Sequence, residues 1–319
     1  MRPLEAPALA EIQAARARIE GMAVRTPLMR LADDGPSEIW LKLENLQPIG
    51  SFKIRGAGNA LRAARPESLA RGVYTASAGN MAQGVAWNAR LLGITCDVVV
   101  PESAPETKLE AIARLGGRVT KVPFETWWKV LVERRYAGLD GFFVHPVSDP
   151  AVMAGNGTIG LEILEDRPDV DAIVVPYGGG GLGCGIAAAV RALAPRVPVW
   201  AAEVETAAPL AAALAAGAPR SIERRPSFVD GIGGQSVLEE MWPLALDLLA
   251  GSQVVSLAAV AEAIRLLASR ARVIAEGAGA AAVAAARSGR IAGRKIVCVV
   301  SGGNIDSPTL ARILAGETP

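Results

Sequence analysis

The chain has 319 residues, 33 Lys and Arg against 32 Asp and Glu for a net charge of +1, and an apolar share of 51 %. That length admits one large domain or two moderate ones. The balanced charge offers no basic patch for a nucleic acid, and no run of about 18 uninterrupted apolar residues offers a membrane span. A single histidine, His145, and three scattered cysteines, Cys96, Cys184 and Cys298, exclude a His-rich metal site and a disulfide frame. Proton chemistry therefore has to come from lysine, carboxylates, hydroxyls or a cofactor. His145, at the end of an apolar run, reads as a satisfied strand-end residue. The opening Met1-Arg2-Pro3-Leu4-Glu5 has no apolar leader, and the unpaired cysteines read as buried thiols, so a cytoplasmic protein is expected.

In chain order, short β-branched runs predict strands at 38–44, 73–77, 96–101, 118–123, 142–146, 172–177, 197–204 and 295–301. Amphipathic runs between them predict helices at 81–93, 105–116, 125–137, 150–165, 206–216, 258–271 and 277–287. This alternation predicts an α/β fold of open, mostly parallel sheets flanked by helices, and the number of strands implies two sheets. A boundary falls at Pro146-Val147-Ser148-Asp149-Pro150. Trp127 and Trp128, on the 125–137 helix, are expected in the core. The chain stops soon after the last of these elements, so no appended regulatory domain is expected.

Four segments carry chemistry. Gly50-Ser51-Phe52-Lys53-Ile54-Arg55-Gly56 places a lysine after a turn and ahead of a helix, where partial desolvation lowers its pKa and frees it as a nucleophile or base. In the second, the strand ending Val174-Val175-Pro176-Tyr177 runs into Gly178, Gly179, Gly180 and Gly181 and then a helix. This is a phosphate cradle of close-approaching backbone and helix N-terminal N–H groups. Gly178, Gly180 and Gly183, with Glu203 ending the next strand, also satisfy a dinucleotide pattern, which keeps a nucleotide-binding oxidoreductase open. The third, Ser77-Ala78-Gly79-Asn80, and the fourth, Ser301-Gly302-Gly303-Asn304, each end a strand. Taken alone, each reads as a turn with a capping residue.

In order and spacing these four segments resemble the fold-type II pyridoxal-phosphate enzymes (the tryptophan synthase β-like fold), and within them the serine/threonine dehydratase and serine racemase family. The resemblance covers nearly the whole chain and explains all four motifs, where the dinucleotide pattern explains one. It implies a large cofactor domain from 1–67 and 151–319 and a small substrate-closing domain from 68–150. Lys53 would hold pyridoxal 5'-phosphate covalently and then take the substrate α-proton. Phe52 and Gly231 would line the ring, Asn80 would meet its 3-oxygen and Ser301 its nitrogen. Gly178 to Gly181, with Leu182, would take the phosphate, and Glu276 would stand behind them. Ser77, Ala78, Gly79 and Met81 would hold the substrate carboxylate. A neutral Ser301 hydroxyl does not keep the ring nitrogen protonated as an aspartate would, which favours prompt loss of a β-substituent. The implied reaction is conversion of a serine- or threonine-like amino acid to a 2-keto acid and ammonia. A sulfhydrylase or threonine synthase type, or a non-catalytic ligand-binding relative, is the alternative. The partners implied are a small amino acid and a second copy of the chain in a homodimer.

Three departures from the family pattern matter. The substrate loop usually reads Ser-Ser-Gly-Asn-His; here Ala78 lacks the hydroxyl that serves racemases as a second acid/base, so weak racemisation is expected. Met81 replaces the usual imidazole, either as helix packing or as a change in substrate preference. Many relatives bind a divalent cation through a Glu, a carbonyl and a carboxylate six residues after the Glu. Glu203 and Ala207 fit the first two positions, Pro209 occupies the third, and Glu205 is a possible substitute; no metal is predicted.

Overall fold

The computed structural model describes residues 4–35 and 37–319; Met1 to Pro3, part of the segment read for a leader, and Pro36 lie outside the described residues. The strands are β1 (Leu28–Arg30), β2 (Glu38–Lys42), β3 (Val73–Ala76), β4 (Cys96–Pro101), β5 (Gly117–Val122), β6 (Phe142–Phe143), β7 (Ala172–Pro176), β8 (Val199–Val204), β9 (Gly251–Val255) and β10 (Lys295–Val299). The helices are α1 (Leu9–Arg18), α2 (Lys53–Ala63), α3 (Pro66–Leu69), α4 (Asn80–Leu92), α5 (Glu106–Arg114), α6 (Phe124–Glu133), α7 (Pro150–Asp166), α8 (Gly181–Leu193), α9 (Pro209–Ala216), α10 (Trp242–Leu248), α11 (Leu257–Leu266), α12 (Gly277–Arg287) and α13 (Ser307–Leu314). They build a six-stranded sheet ordered β1-β2-β10-β7-β8-β9 and a four-stranded sheet ordered β5-β4-β3-β6. All pairings are parallel except β1 with β2.

Alternation of side chains explains the layers. In the larger sheet Ala172, Val174, Ala202, Val204, Ile296 and Cys298 point to one face and meet α11 and α12. Ile173, Val175, Val199, Ala201, Val297 and Val299 point to the other and meet α7 and α8. In the smaller sheet Val73, Cys96, Val98 and Val100 pack on α2, α4 and α5, while Tyr74, Ala76, Val99 and Val122 pack on Val130 of α6. Trp128, expected in the core, is 43 % exposed, with Phe124 and Val132 also exposed along the same face of α6.

Helices α2, α7 and α8 meet through glycines. A Cβ on Gly155 would lie 2.5 Å from the Arg55 carbonyl oxygen, and one on Gly185 would lie 2.4 Å from that of Met153. These backbones touch with no side chain between them. The same seam holds a buried ion cluster: Arg55 donates to both Glu44 and Glu162, and Lys42 donates to Glu162. Two cations and two carboxylates balance, and the lone pairs left over accept from Thr26 and Gln47.

Several elements depart from the expected bounds for local reasons. Helix α9 starts at Pro209, three residues after the expected start, because proline suits the first helical position and Ala207 pairs back to Val204. Helix α6 ends at Glu133 because Arg134 adopts φ +55°. Strand β6 keeps only Phe142–Phe143 of the expected 142–146, since the following residues leave the sheet for α7. The edge strands β1 and β9 were not expected; β1 has only three residues, and Gly251, Ser252 and Gln253 leave β9 β-branched only at its end.

Candidate active site

The carboxyl ends of the parallel strands in both sheets open on one cleft of about 660 Å³. Lys53, Phe52, Ser77, Ala78, Gly79, Asn80, Met81, Gly178 to Leu182, Gly231, Glu276 and Ser301, every position expected at a cofactor or substrate site, line it. Glu203 and Ala207 do not.

Backbone stitching explains how Lys53 reaches this cleft. Gly50 turns the chain at φ +71°, and a Cβ there would collide with Asn304 at 2.5 Å. Ser51 bridges Gly302, Phe52 N–H donates to the Ser301 carbonyl at 3.0 Å, and Gly303 N–H donates to that of Gly50 at 2.9 Å. Lys53 therefore begins α2 beside the end of β10. Its Nζ donates to the Pro146 carbonyl at 2.9 Å and lies 5.1 Å from the centre of the Phe52 ring. Burial pulls the amine down to about 8, opposed by the charge of Glu276.

The tetraglycine turn joins β7 to α8. Gly180 takes φ +96°, and the first helical bond runs from Cys184 N–H to Gly180. The N–H groups of Gly181, Leu182 and Gly183 therefore have no acceptor among the described residues, which leaves a row of free donors and the positive end of a helix at the cleft. Val147 presses on this turn: a Cβ on Gly179 would lie 2.5 Å from its side chain, and one on Gly181 would lie 2.7 Å from its carbonyl oxygen.

Opposite, Gly79 N–H donates to Ser77 Oγ at 3.3 Å and α4 starts at Asn80. Asn80 Nδ2 donates to Glu276 Oε1 at 2.8 Å, and its Oδ1 accepts from Asn304 Nδ2 at 2.8 Å. Asn304 also donates to the Ile49 carbonyl; the motif pattern assigns it no role, although a polar residue closing a Gly-Gly strand end is the available signal. Burial and the nearby Asp230 push the Glu276 carboxyl up to about 7, against the hydrogen bond from Asn80. Met81 is 2 % exposed and packs under the smaller sheet with Ala82 and Val85, so its side chain is mostly core. Lys108 pairs with Asp230 across the cleft, and neither residue was expected at the site. The three cysteines are free and buried, and burial raises each thiol, Cys96 and Cys184 to about 12, so none serves as a nucleophile.

A divalent cation does not fit Glu203. Its Oε1 accepts from Leu210 N–H at 2.8 Å, and its Oε2 accepts from Ala211 N–H at 2.8 Å and from Ser252 Oγ at 2.6 Å. Both carboxylate oxygens are spent on the head of α9, and the third ligand position is Pro209. A phosphate-bearing aldehyde does fit the cleft: the free amides of α8 suit its phosphate, and an amine held near neutrality suits its carbonyl carbon.

That pairing defines the class. The family model for pyridoxal-phosphate dependent enzymes matches residues 19–302, and the chain belongs to that family. It is 39 % identical over 313 residues to an L-threonine ammonia-lyase of Thermotoga maritima, covering 96 % of this chain and 78 % of that one. The structure of maize serine racemase superposes with a TM-score of 0.89 at 33 % identity, covering 98 % of each chain. The processed form of threonine deaminase isoform 2 from Solanum lycopersicum superposes at 0.88 with 31 % identity, covering 99 % of this chain and 93 % of that one. The fold is that of the fold-type II enzymes.

Proposed function

We propose that this chain is a pyridoxal-phosphate-dependent ammonia-lyase that converts a β-hydroxy L-amino acid of the serine or threonine kind to a 2-keto acid and ammonia. The observation that carries it is the meeting, in one cleft, of a Lys53 amine lowered to about 8 and the free amides that open α8. When bound, pyridoxal phosphate supplies an electron sink that labilises the α-proton. The chain does the rest. The α8 amides, with Gly178 to Gly181 and Leu182, would hold the phosphate. Phe52 and Gly231 would border the cofactor ring, Ser301 would serve the ring nitrogen, and Asn80, braced by Glu276, would serve the 3-oxygen. Lys53 would hold the cofactor, and its free Nζ would take the substrate α-proton. Ser77 and the amides at the head of α4 bind the substrate carboxylate, with Ala78 and Met81 shaping that wall.

Ala78 gives the face opposite Lys53 no hydroxyl at that position, so elimination outruns racemisation; a racemisation rate equal to keto-acid release would refute this. Residues 68–150 form the unit that closes over substrate against 1–67 and 151–319. The protein works as a cytoplasmic homodimer, which sedimentation at micromolar concentration checks for assembly. The decisive experiment has two parts. Pyridoxal phosphate should give a visible absorbance that Lys53→Ala abolishes, and keto acid should then be released from L-serine, L-threonine or a β-substituted analogue. Absorbance without release from any of them would leave a non-catalytic relative.

A further inference from the structure

Residues 144–149 carry the chain from β6 to α7, one of its two passages between the sheets. This passage touches the site twice. The Pro146 carbonyl holds Lys53 Nζ at 2.9 Å, and Val147 occupies the space that side chains on Gly179 and Gly181 would need. Such a turn needs something to satisfy its inward N–H groups. His145 does this: its Nδ1 accepts from Ser148 N–H at 2.8 Å and from Val147 N–H at 3.1 Å. Two donors on one nitrogen leave the ring proton on Nε2. Ser148 then anchors the turn outward, donating to Glu240 Oε1 at 2.9 Å and accepting from Arg134 Nη2 through its carbonyl and hydroxyl oxygens.

We propose that His145 is a positioning residue for Lys53: its imidazole folds the turn, and the turn aims the Pro146 carbonyl at the amine. A histidine that merely fills core would not spend its lone pair on the two residues that follow that carbonyl. Burial and the positive charges of Arg134 and Lys53 hold the ring neutral down to about pH 3, so the acceptor is present wherever Lys53 titrates. Of the other charged groups, Glu276 faces Lys53 from the head of α12, and Glu240 reaches His145 only through Ser148. The inference rests on the role given to Lys53, but its first test needs no cofactor.

In cofactor-free protein, competitive acetylation read peptide by peptide gives the titration midpoint of Lys53. His145→Leu should lower that midpoint by about half a pH unit or more, because burial persists while the carbonyl that favours the ammonium is no longer aimed. His145→Asn, whose amide oxygen accepts from N–H groups two and three residues on, should restore it. Covalent capture of added pyridoxal phosphate, followed by absorbance, should slow about tenfold in the leucine variant and recover to within about threefold in the asparagine variant. An unmoved midpoint in the leucine variant, a midpoint raised to that of an exposed lysine, or equal damage in both variants overturns the proposal. If only the asparagine variant folds, it must match the native chain in both measurements, and a departure overturns the proposal. A native chain that captures no pyridoxal phosphate, yet whose Lys53 midpoint still answers to His145, would sink the cofactor reading and leave the positioning intact.

Discussion

The two glycine-bearing strand–helix turns of the cleft look alike in sequence and differ in what confines them. Both follow buried strands and both open a helix toward the cleft. In the turn after β7, Gly180 needs its positive φ, and Gly179 and Gly181 are walled in by Val147. In the turn after β3, Gly79 sits at φ −116°, and a Cβ there would meet nothing within 4 Å. The first turn is held to a fixed shape from behind. The second borders open space, as suits a wall that meets a ligand which comes and goes.

This contrast breaks or sharpens under substitution. The largest effect belongs to Lys53→Ala, which should cut keto-acid release about a thousandfold or more; a smaller loss would move the chemistry off this residue. Gly181→Ala should cost about 1–3 kcal/mol in denaturant unfolding and weaken pyridoxal phosphate retention, because the Val147 backbone has to yield. Gly79→Ala should stay within about 0.5 kcal/mol of the native chain and act on KM instead. Equal unfolding losses in these two variants would erase the distinction between the turns.

Two further effects are smaller. Glu276 has its folded pKa raised from 4.5 to about 7, so the folded state holds the extra proton and stability falls as pH rises across that interval. Lys53 has its folded pKa lowered from 10.5 to about 8, so its burial penalty is fully present below 8 and fades as pH rises above it. His145, lowered from 6.5 to about 3, contributes the opposite slope over part of the Glu276 interval, so the test is a difference. In cofactor-free protein the melting temperature of Glu276→Gln relative to the native chain, read by calorimetry, should rise from about pH 4.5 to 7 and level off above it. The smallest effect is that of cations: millimolar Mg²⁺ or a chelator should move the melting temperature by less than about 1 °C, because Glu203 has no free oxygen to offer. A saturable stabilisation by Mg²⁺ that Glu203→Gln abolishes would reverse that assignment.

The parts legible in the sequence were those fixed by local pattern. The β-branched runs at 172–177 and 295–301 announced central strands because both faces of the larger sheet are buried, and the Gly-rich ends of those strands announced the cleft. What stayed hidden depended on distant partners. Nothing near Asn304 says that its amide reaches Asn80, and nothing near Lys108 says that it pairs with Asp230. The amphipathic pattern at 125–137 put Trp128 in the core because periodicity records apolar spacing, not how much sheet there is to cover it. His145 was read correctly as satisfied, yet its partners, two backbone N–H groups, have no letter of their own.

The glycine seam between α2, α7 and α8 has a consequence for how the protein fails. The amine at the head of α2 and the donors at the head of α8 are spaced by backbone in contact with backbone, with few rotamers to loosen on warming. On the smaller sheet α4 shares one such contact, Gly84 against the Lys53 carbonyl, but the outer layer, α6, leans on side chains, several of them exposed. Heat should disorder the substrate side first, so a warmed enzyme would fall silent while still coloured by its cofactor.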